Sequence, residues 1–286
     1  MQERYYRPSG GFSPVFFAYL LACGLLVVPV CYAYAHLVYY MPYIYLNILA
    51  TVGCGFVMGL LVSGAMHLGK VRNSAIAVIA AVVFTAFAKY VQWVFYIPIA
   101  YLEFDFLYNL SVSLDLFFFP PDVIAFIKEI NLYGVWSIGE SDTNVTGIFL
   151  YVIWACEFII MLVVSVIMAR NKSRNPFCDE EGRWFKFNKK SDERLLDVPE
   201  DLAAFKDALE SGQTEALTGL LGVPLADANR YLRLSLYHLD GVDYGYIKVE
   251  SVTVTADKRK RTTTKSEKLL EYLTVGKETL SALRVE

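Results

Sequence analysis

Four long apolar stretches, Val15–Tyr40, Tyr43–Leu68, Ser74–Leu102 and Gly147–Ala169, constrain this chain more than anything else in it. Each exceeds the roughly 20 residues that a helix needs to cross about 30 Å of hydrocarbon. The expected architecture is an α-helical polytopic membrane protein, a bundle of four transmembrane helices followed by a small soluble α+β domain. The boundary falls near residue 174. Residues 1–174 hold nine basic and nine acidic residues, whereas residues 175–286 hold seventeen and twenty. The overall net charge of −3 therefore averages two unlike halves and says little about partners.

The first stretch reads as a retained span rather than a cleaved leader. Its apolar run is far longer than the 7–15 residues of a signal core, and no small-residue cleavage site follows. Of the five cysteines, Cys23, Cys31, Cys54 and Cys156 lie within apolar spans, and Cys178 stands apart in the tail. That distribution does not make a disulfide framework and suits a reducing compartment for the tail.

Orientation follows from the basic residues. Arg4 and Arg7 precede the first span, Lys70 and Arg72 lie between the second and third, and Arg170, Lys172 and Arg174 follow the fourth. Four crossings put all of them on one face, which the positive-inside rule makes cytoplasmic. The other face receives the segment 103–146, with Glu103, Asp105, Asp115, Asp122, Glu129, Glu140 and Asp142 against Lys128. Tyr32, Tyr34, Tyr39, Tyr40, Tyr43, Tyr45, Tyr96 and Tyr101 cluster toward that same face, as an interfacial aromatic belt does, although some of them can instead pack between helices. With no eukaryotic targeting signal in view, a bacterial inner membrane with both termini cytoplasmic is the expected location.

Within the spans, Pro29 and Pro98 each remove a helical hydrogen bond. Gly55, Gly59 and Ser63 recur every four residues, a spacing that lets two helices approach closely, either within the bundle or at a homodimer seam. Lys89 and Glu157 lie at similar depth, roughly 18–21 Å from the cytoplasmic boundary at 1.5 Å per residue. Charges there usually face the bundle interior and pair. We expect a Lys89–Glu157 pair between the third and fourth spans, with Gln92 completing the network. It would either fix helix register or form a proton- or ion-linked site. His36 and His67 are read as interfacial or packing residues.

On the outer side, Asp122–Ile130 reads as a short helix opened by Pro121, and the apolar run before it is too short to span. This segment should lie on the bilayer surface or cap the bundle. In the tail, Phe177–Phe185 resembles half of a zinc knuckle that lacks its second cysteine. Cys178, Glu181 and His238 do not make the four ligands that structural zinc needs. No metal and no other cofactor is expected. A helix capped by Asp197 and ended by Gly212 should be followed by a second, Thr214–Leu221. Leu232, Leu234 and Leu236 then alternate as a strand, Asp240-Gly241 turns, and Tyr244–Thr255 forms a second strand with a bulge near Glu250–Ser251. Thr264 and Glu267 have capping-box spacing, which predicts a short helix over Leu269–Leu273. Lys258, Arg259, Lys260 and Arg261 form a basic cluster, read as a solvated hairpin tip or as a contact with anionic headgroups.

Gly276-Lys277 lacks the remainder of a phosphate-binding loop, because Glu271 and Glu278 stand where Gly and Ser or Thr belong. Without a catalytic motif, the favoured expectation is a membrane-anchored interaction or regulatory protein, with lipid, a second copy and an unidentified cytoplasmic protein as partners and nucleic acid disfavoured. A small transporter or channel subunit using Lys89, Glu157 and Asn47 is the alternative. A lipid enzyme using Asp115, Asp122, Glu129 and Glu140 is a third.

Overall fold

A computed structural model describes residues 4–41, 44–102, 106–134, 144–221, 223, 225–256 and 262–284. The basic cluster Lys258–Arg261, the acidic Glu103, Asp105, Glu140 and Asp142, and Tyr43 lie outside the described residues. The chain divides into two compact units: Gly10–Arg174, and Asn175–Glu286 joined by Met1–Ser9. The sequence placed the N-terminal residues with the membrane part; they belong to the other unit.

Among the described residues, the helices and strands of the first unit are helices alone. Four helices, α1 (Val15–Tyr40), α2 (Ile44–Leu68), α3 (Ser74–Tyr101) and α6 (Gly147–Ser173), are long and apolar enough to cross a membrane. Leu21, Leu25, Leu49 and Ile148 are exposed on them, so these helices are apolar on their outward faces as well as their inward ones. That pattern suits lipid as the surrounding solvent. α6 runs one turn beyond Ala169, where the long stems of Arg170 and Lys172 can remain against apolar surface while their charges reach out.

α3 is the hub, packed against α1, α2, α6 and two shorter helices, and its stretch Val91–Ile99 is buried throughout. Asn73 caps it, its side-chain oxygen accepting from Ala75 N (2.9 Å) and Ile76 N (3.1 Å). The Gly55 and Gly59 face is spent inside the chain rather than on a dimer seam. A Cβ on Gly55 would stand 2.9 Å from Met161 Cα, and one on Gly59 would meet the Met168 side chain, both on α6. Ser63 continues this row with its hydroxyl buried.

The segment between α3 and α6 holds more helix than its composition suggested: α4 (Phe106–Phe118) and α5 (Pro120–Tyr133), bent by 112° at Phe119. Pro120 fits the start of α5, where its missing N–H costs nothing. Two of the carbonyls that end α4 are met from α3, where Tyr90 OH shares its one proton between Leu116 O (3.1 Å) and Phe117 O (2.9 Å).

The second unit is an antiparallel sheet in the order β3 (Glu193–Leu196), β4 (Arg230–Tyr237), β5 (Tyr244–Ala256), β6 (Thr262–Gly276), preceded by a small hairpin of β1 (Phe177–Cys178) and β2 (Arg183–Trp184). Helices α7 (Leu202–Ser211), α8 (Glu215–Thr218) and α9 (Lys277–Leu283) complete it. Leu232, Leu234, Leu236, Ile247, Val249 and Leu273 form one core with Phe205, Leu209 and Leu280 of these helices. The alternate residues Tyr237, Tyr244 and Tyr246 pack with Cys178, Phe185 and Tyr272 in a second, aromatic cluster.

Several local expectations are corrected. Asp201, not Asp197, caps α7, accepting from Ala203 N and Ala204 N, both at 2.9 Å. Asp197 instead accepts from Ala226 N at 3.2 Å. The helix expected over Thr214–Leu221 covers only Glu215–Thr218. Residues 264–273 are strand, because pairing with β5 outweighs the local capping signal. β4 and β5 pair without a break from Arg230 to Tyr237, so there is no bulge at Glu250–Ser251 on that side. The irregularity lies between Ile247 and Glu250 against β6, where Tyr272 takes a positive φ of 59°.

The sheet also gains an isolated β-bridge from the other end of the chain, Tyr5 to Leu273. Arg4–Tyr6 lies antiparallel along the free edge of β6, with Tyr6 N donating to Tyr272 O (2.9 Å) and Thr274 N to Arg4 O (2.7 Å). Tyr5 OH donates to Glu210 of α7, and the Tyr6 ring meets Tyr246 edge-on at 5.3 Å.

Candidate functional site

The first unit carries one concentrated set of polar side chains among apolar helices. Lys89 Nζ lies 3.3 Å from Glu157 Oε2, joining α3 to α6 as the matched depths suggested. The two residues are 9% and 8% exposed. Gln92 does not complete the network: it is buried and its Oε1 has no hydrogen-bond partner. Asn47 of α2 takes that place, its Nδ2 donating to Glu157 Oε1 at 2.9 Å. Both carboxylate oxygens are thereby met, one by an ammonium and one by an amide, which is what a buried carboxylate requires.

The set extends to α1. Thr51 Oγ1 donates to Asn47 O (2.8 Å), one turn back on its own helix. Its single proton is then committed, so the 2.8 Å contact with Tyr34 is a donation from the tyrosine hydroxyl. Lys89 Nζ also sits 5.6 Å from the centroid of the Trp93 ring. Every one of the four long helices contributes to this chain of contacts: Tyr34 from α1, Asn47 and Thr51 from α2, Lys89 from α3 and Glu157 from α6. Tyr34 and Tyr96 are buried in the bundle, which removes them from the aromatic belt; Tyr40 and Tyr45 are exposed, consistent with it. The sequence already groups Asn47 with the pair, in the transporter reading; the same signal, polarity inside an apolar run, could have identified Thr51, whereas that for Tyr34 was masked by the run of tyrosines around it.

The other candidates stay apart. Asp115, Asp122 and Glu129 are exposed on two helices bent away from each other. Among the described residues no three His, Cys, Asp or Glu side chains converge on a point that could hold a metal ion. Cys178 is buried with its sulfur 3.7 Å from Tyr244 OH, Glu181 pairs with Arg183, and His238 Nε2 is 3.3 Å from the buried Asp192. Gly276 and Lys277 open α9, with Lys277 bridging to Asp243 at 2.8 Å.

The aromatic cluster of the second unit has its own electrostatic signature. Burial pushes the Tyr246 phenol up to about 12, and burial likewise raises Tyr5, Tyr237, Tyr244 and Tyr272. A phenol that holds its proton more tightly when folded stabilises the fold fully below its ordinary value of 10.0. That contribution is lost as pH rises from there through 12. The denaturation midpoint of this domain in the intact protein should therefore be unaffected by these phenols between neutral pH and about 10, and fall steadily beyond it.

Comparisons with protein-family models, with curated proteins and with solved structures found no match.

Proposed function

We propose that the helical unit is a membrane anchor for an interaction or regulatory domain, and that this domain is built from both flanks of the anchor. The observation that carries the reading is the pairing of Arg4–Tyr6 with β6. Two segments that hydrogen-bond in one sheet share a side of the bilayer, so the helices between them cross an even number of times. The four long helices satisfy this. A fifth crossing by α4 and α5 would separate the strand from its sheet, which favours a bent pair that enters and leaves by one face. The flanking Arg4, Arg7, Lys70, Arg72, Arg170, Lys172 and Arg174 make the shared side cytoplasmic, and a bacterial inner membrane fits. An unidentified cytoplasmic protein is the expected partner of the domain.

Lys89 and Glu157 support a second reading, an ion- or proton-linked carrier, because charges at mid-membrane are costly and often functional. Saturation of both Glu157 oxygens favours a role in holding the helices together.

Cysteines introduced as Ser9→Cys, Lys190→Cys and Asp122→Cys test the topology. An impermeant maleimide should label the third in intact cells and the first two only after permeabilisation. Labelling of Ser9→Cys and Lys190→Cys from opposite sides would sink the reading. Recovery of the intact protein in mild detergent, followed by identification of what co-purifies, tests for the partner.

A further inference from the structure

The long hairpin of β5 and β6 leaves one edge of the sheet open. β6 pairs with β5 from Thr262 to Gly276, and the N-terminal segment meets its other side only around Leu273. Thr262–Lys268 is exposed throughout. The direction of its backbone groups follows from β5. Val254 N donates to Asn229 O, just before β4, so even-numbered residues at this end of β5 face β4 and odd-numbered ones face β6. Thr255, Thr253 and Ser251 stand opposite Thr263, Lys265 and Glu267, which therefore spend their N–H and C=O groups on β5. Thr262, Thr264, Ser266 and Lys268 aim theirs outward, as Tyr272 and Thr274 do where Arg4–Tyr6 meets them.

A row of bare N–H and C=O groups is a template for another strand, and natural edges are usually blunted by proline, a bulge or a cover. This one is not. Its register is regular from Glu250–Lys268 to Ala256–Thr262, and the stretch holds no proline. Two charges on it are also unmatched. Arg233, Lys248 and Lys268 each reach an acidic neighbour on their own sheet. Lys265 and Glu267 reach none among the described residues. They lie on one face, one on either side of Ser266.

A strand with a lysine and a glutamate placed symmetrically about one outward-aimed residue is complementary to itself. We propose that two copies of the chain join at this edge, β6 antiparallel to the partner's β6 over Thr264–Lys268, about a twofold axis at Ser266. Lys265 of each copy then faces the partner's Glu267 in a non-hydrogen-bonded pair, where side chains come closest. Roughly six backbone hydrogen bonds close, from Ser266 to its own counterpart and from Thr264 to the partner's Lys268. Backbone pairing alone would accept any strand; the reciprocal charges select this one. The inference deepens the interaction-domain reading by naming a partner. Two copies inserted alike carry the domain on the same side of the bilayer whichever side that is, so the maleimide result and this one can fail separately.

The test uses the full chain in membranes, with Cys156→Ser as background because that thiol is exposed. Ser266→Cys should form an intermolecular disulfide under mild oxidation, since a hydrogen-bonded antiparallel pair holds its Cα atoms about 5.5 Å apart. Thr264→Cys should form none, because its two copies stand four residues, about 13 Å, apart. Added to Ser266→Cys, Lys265→Glu or Glu267→Lys sets like charges in both pairs and should cut the disulfide roughly tenfold. Coexpressing those two variants with tags of different size should restore a mixed disulfide, because each then meets the opposite charge. Both positions are exposed, so the substitutions leave the core alone. Absence of the Ser266→Cys disulfide overturns the proposal, and is the result if solvent or a strand of another protein occupies the edge. A disulfide from Thr264→Cys, or equal yields from like-charged and mixed pairs, overturns it as well.

Discussion

Lys89→Met is expected to destabilise the helical unit by about 3–5 kcal/mol, because it strands the Glu157 carboxylate in a bundle that offers it only Asn47. Glu157→Gln should cost less. A neutral amide at that position can still accept from Asn47, and the Lys89 ammonium keeps the Trp93 ring face. The double substitution is the informative one. Removing both charges removes the reason either loss is large, so the combined effect should fall short of the sum by more than about 1 kcal/mol. Thermal unfolding of the three variants in one detergent gives the numbers. Strict additivity would mean that the 3.3 Å contact contributes nothing and that the two residues act separately.

Tyr6→Pro is the corresponding strike at the other unit. It deletes the N–H that donates to Tyr272 O and takes away the ring packed on Tyr246 and Tyr272. Loss of a large aromatic contact with one backbone hydrogen bond should cost about 3–5 kcal/mol. The damage should be local to the β6 edge, so amide exchange should accelerate at Thr274, whose donation to Arg4 O depends on the same strand. Exchange at β3, on the opposite edge, should change only through the global loss of stability. Unaltered protection of Thr274 would show that the N-terminal strand contributes little to the domain.

The spans were legible because an all-apolar run of some 25 residues has few other uses, and their ends were set by charge. The Lys89–Glu157 pair was legible for a related reason: two lone charges at equal depth have few other ways to be neutralised. Nothing local marks Arg4–Tyr6, a segment that pairs through a single bridge at Tyr5 and whose only cue is two tyrosines. β6 was misread because Thr264 and Glu267 fit a helix start, whereas the partner that makes them strand, β5, lies outside any local window. Asp197 and Asp201 are equally plausible caps by type. Only the position of the chain chose the second, and it gave the first to Ala226 N.

The union of Tyr5 with Leu273 has a consequence for biogenesis. The two residues are 268 positions apart. At typical rates of about 5–20 residues per second, a ribosome takes roughly 13–54 s to travel between them. The earliest strand must wait through the insertion of every helix before its neighbour in the sheet exists. The domain cannot mature while its chain is still being made, and closing so long a loop is a slow event. In the proposed topology, insertion of the helices would shorten that search by bringing both flanks to one side of the bilayer, so assembly of the domain would become a late report that the helices have threaded correctly.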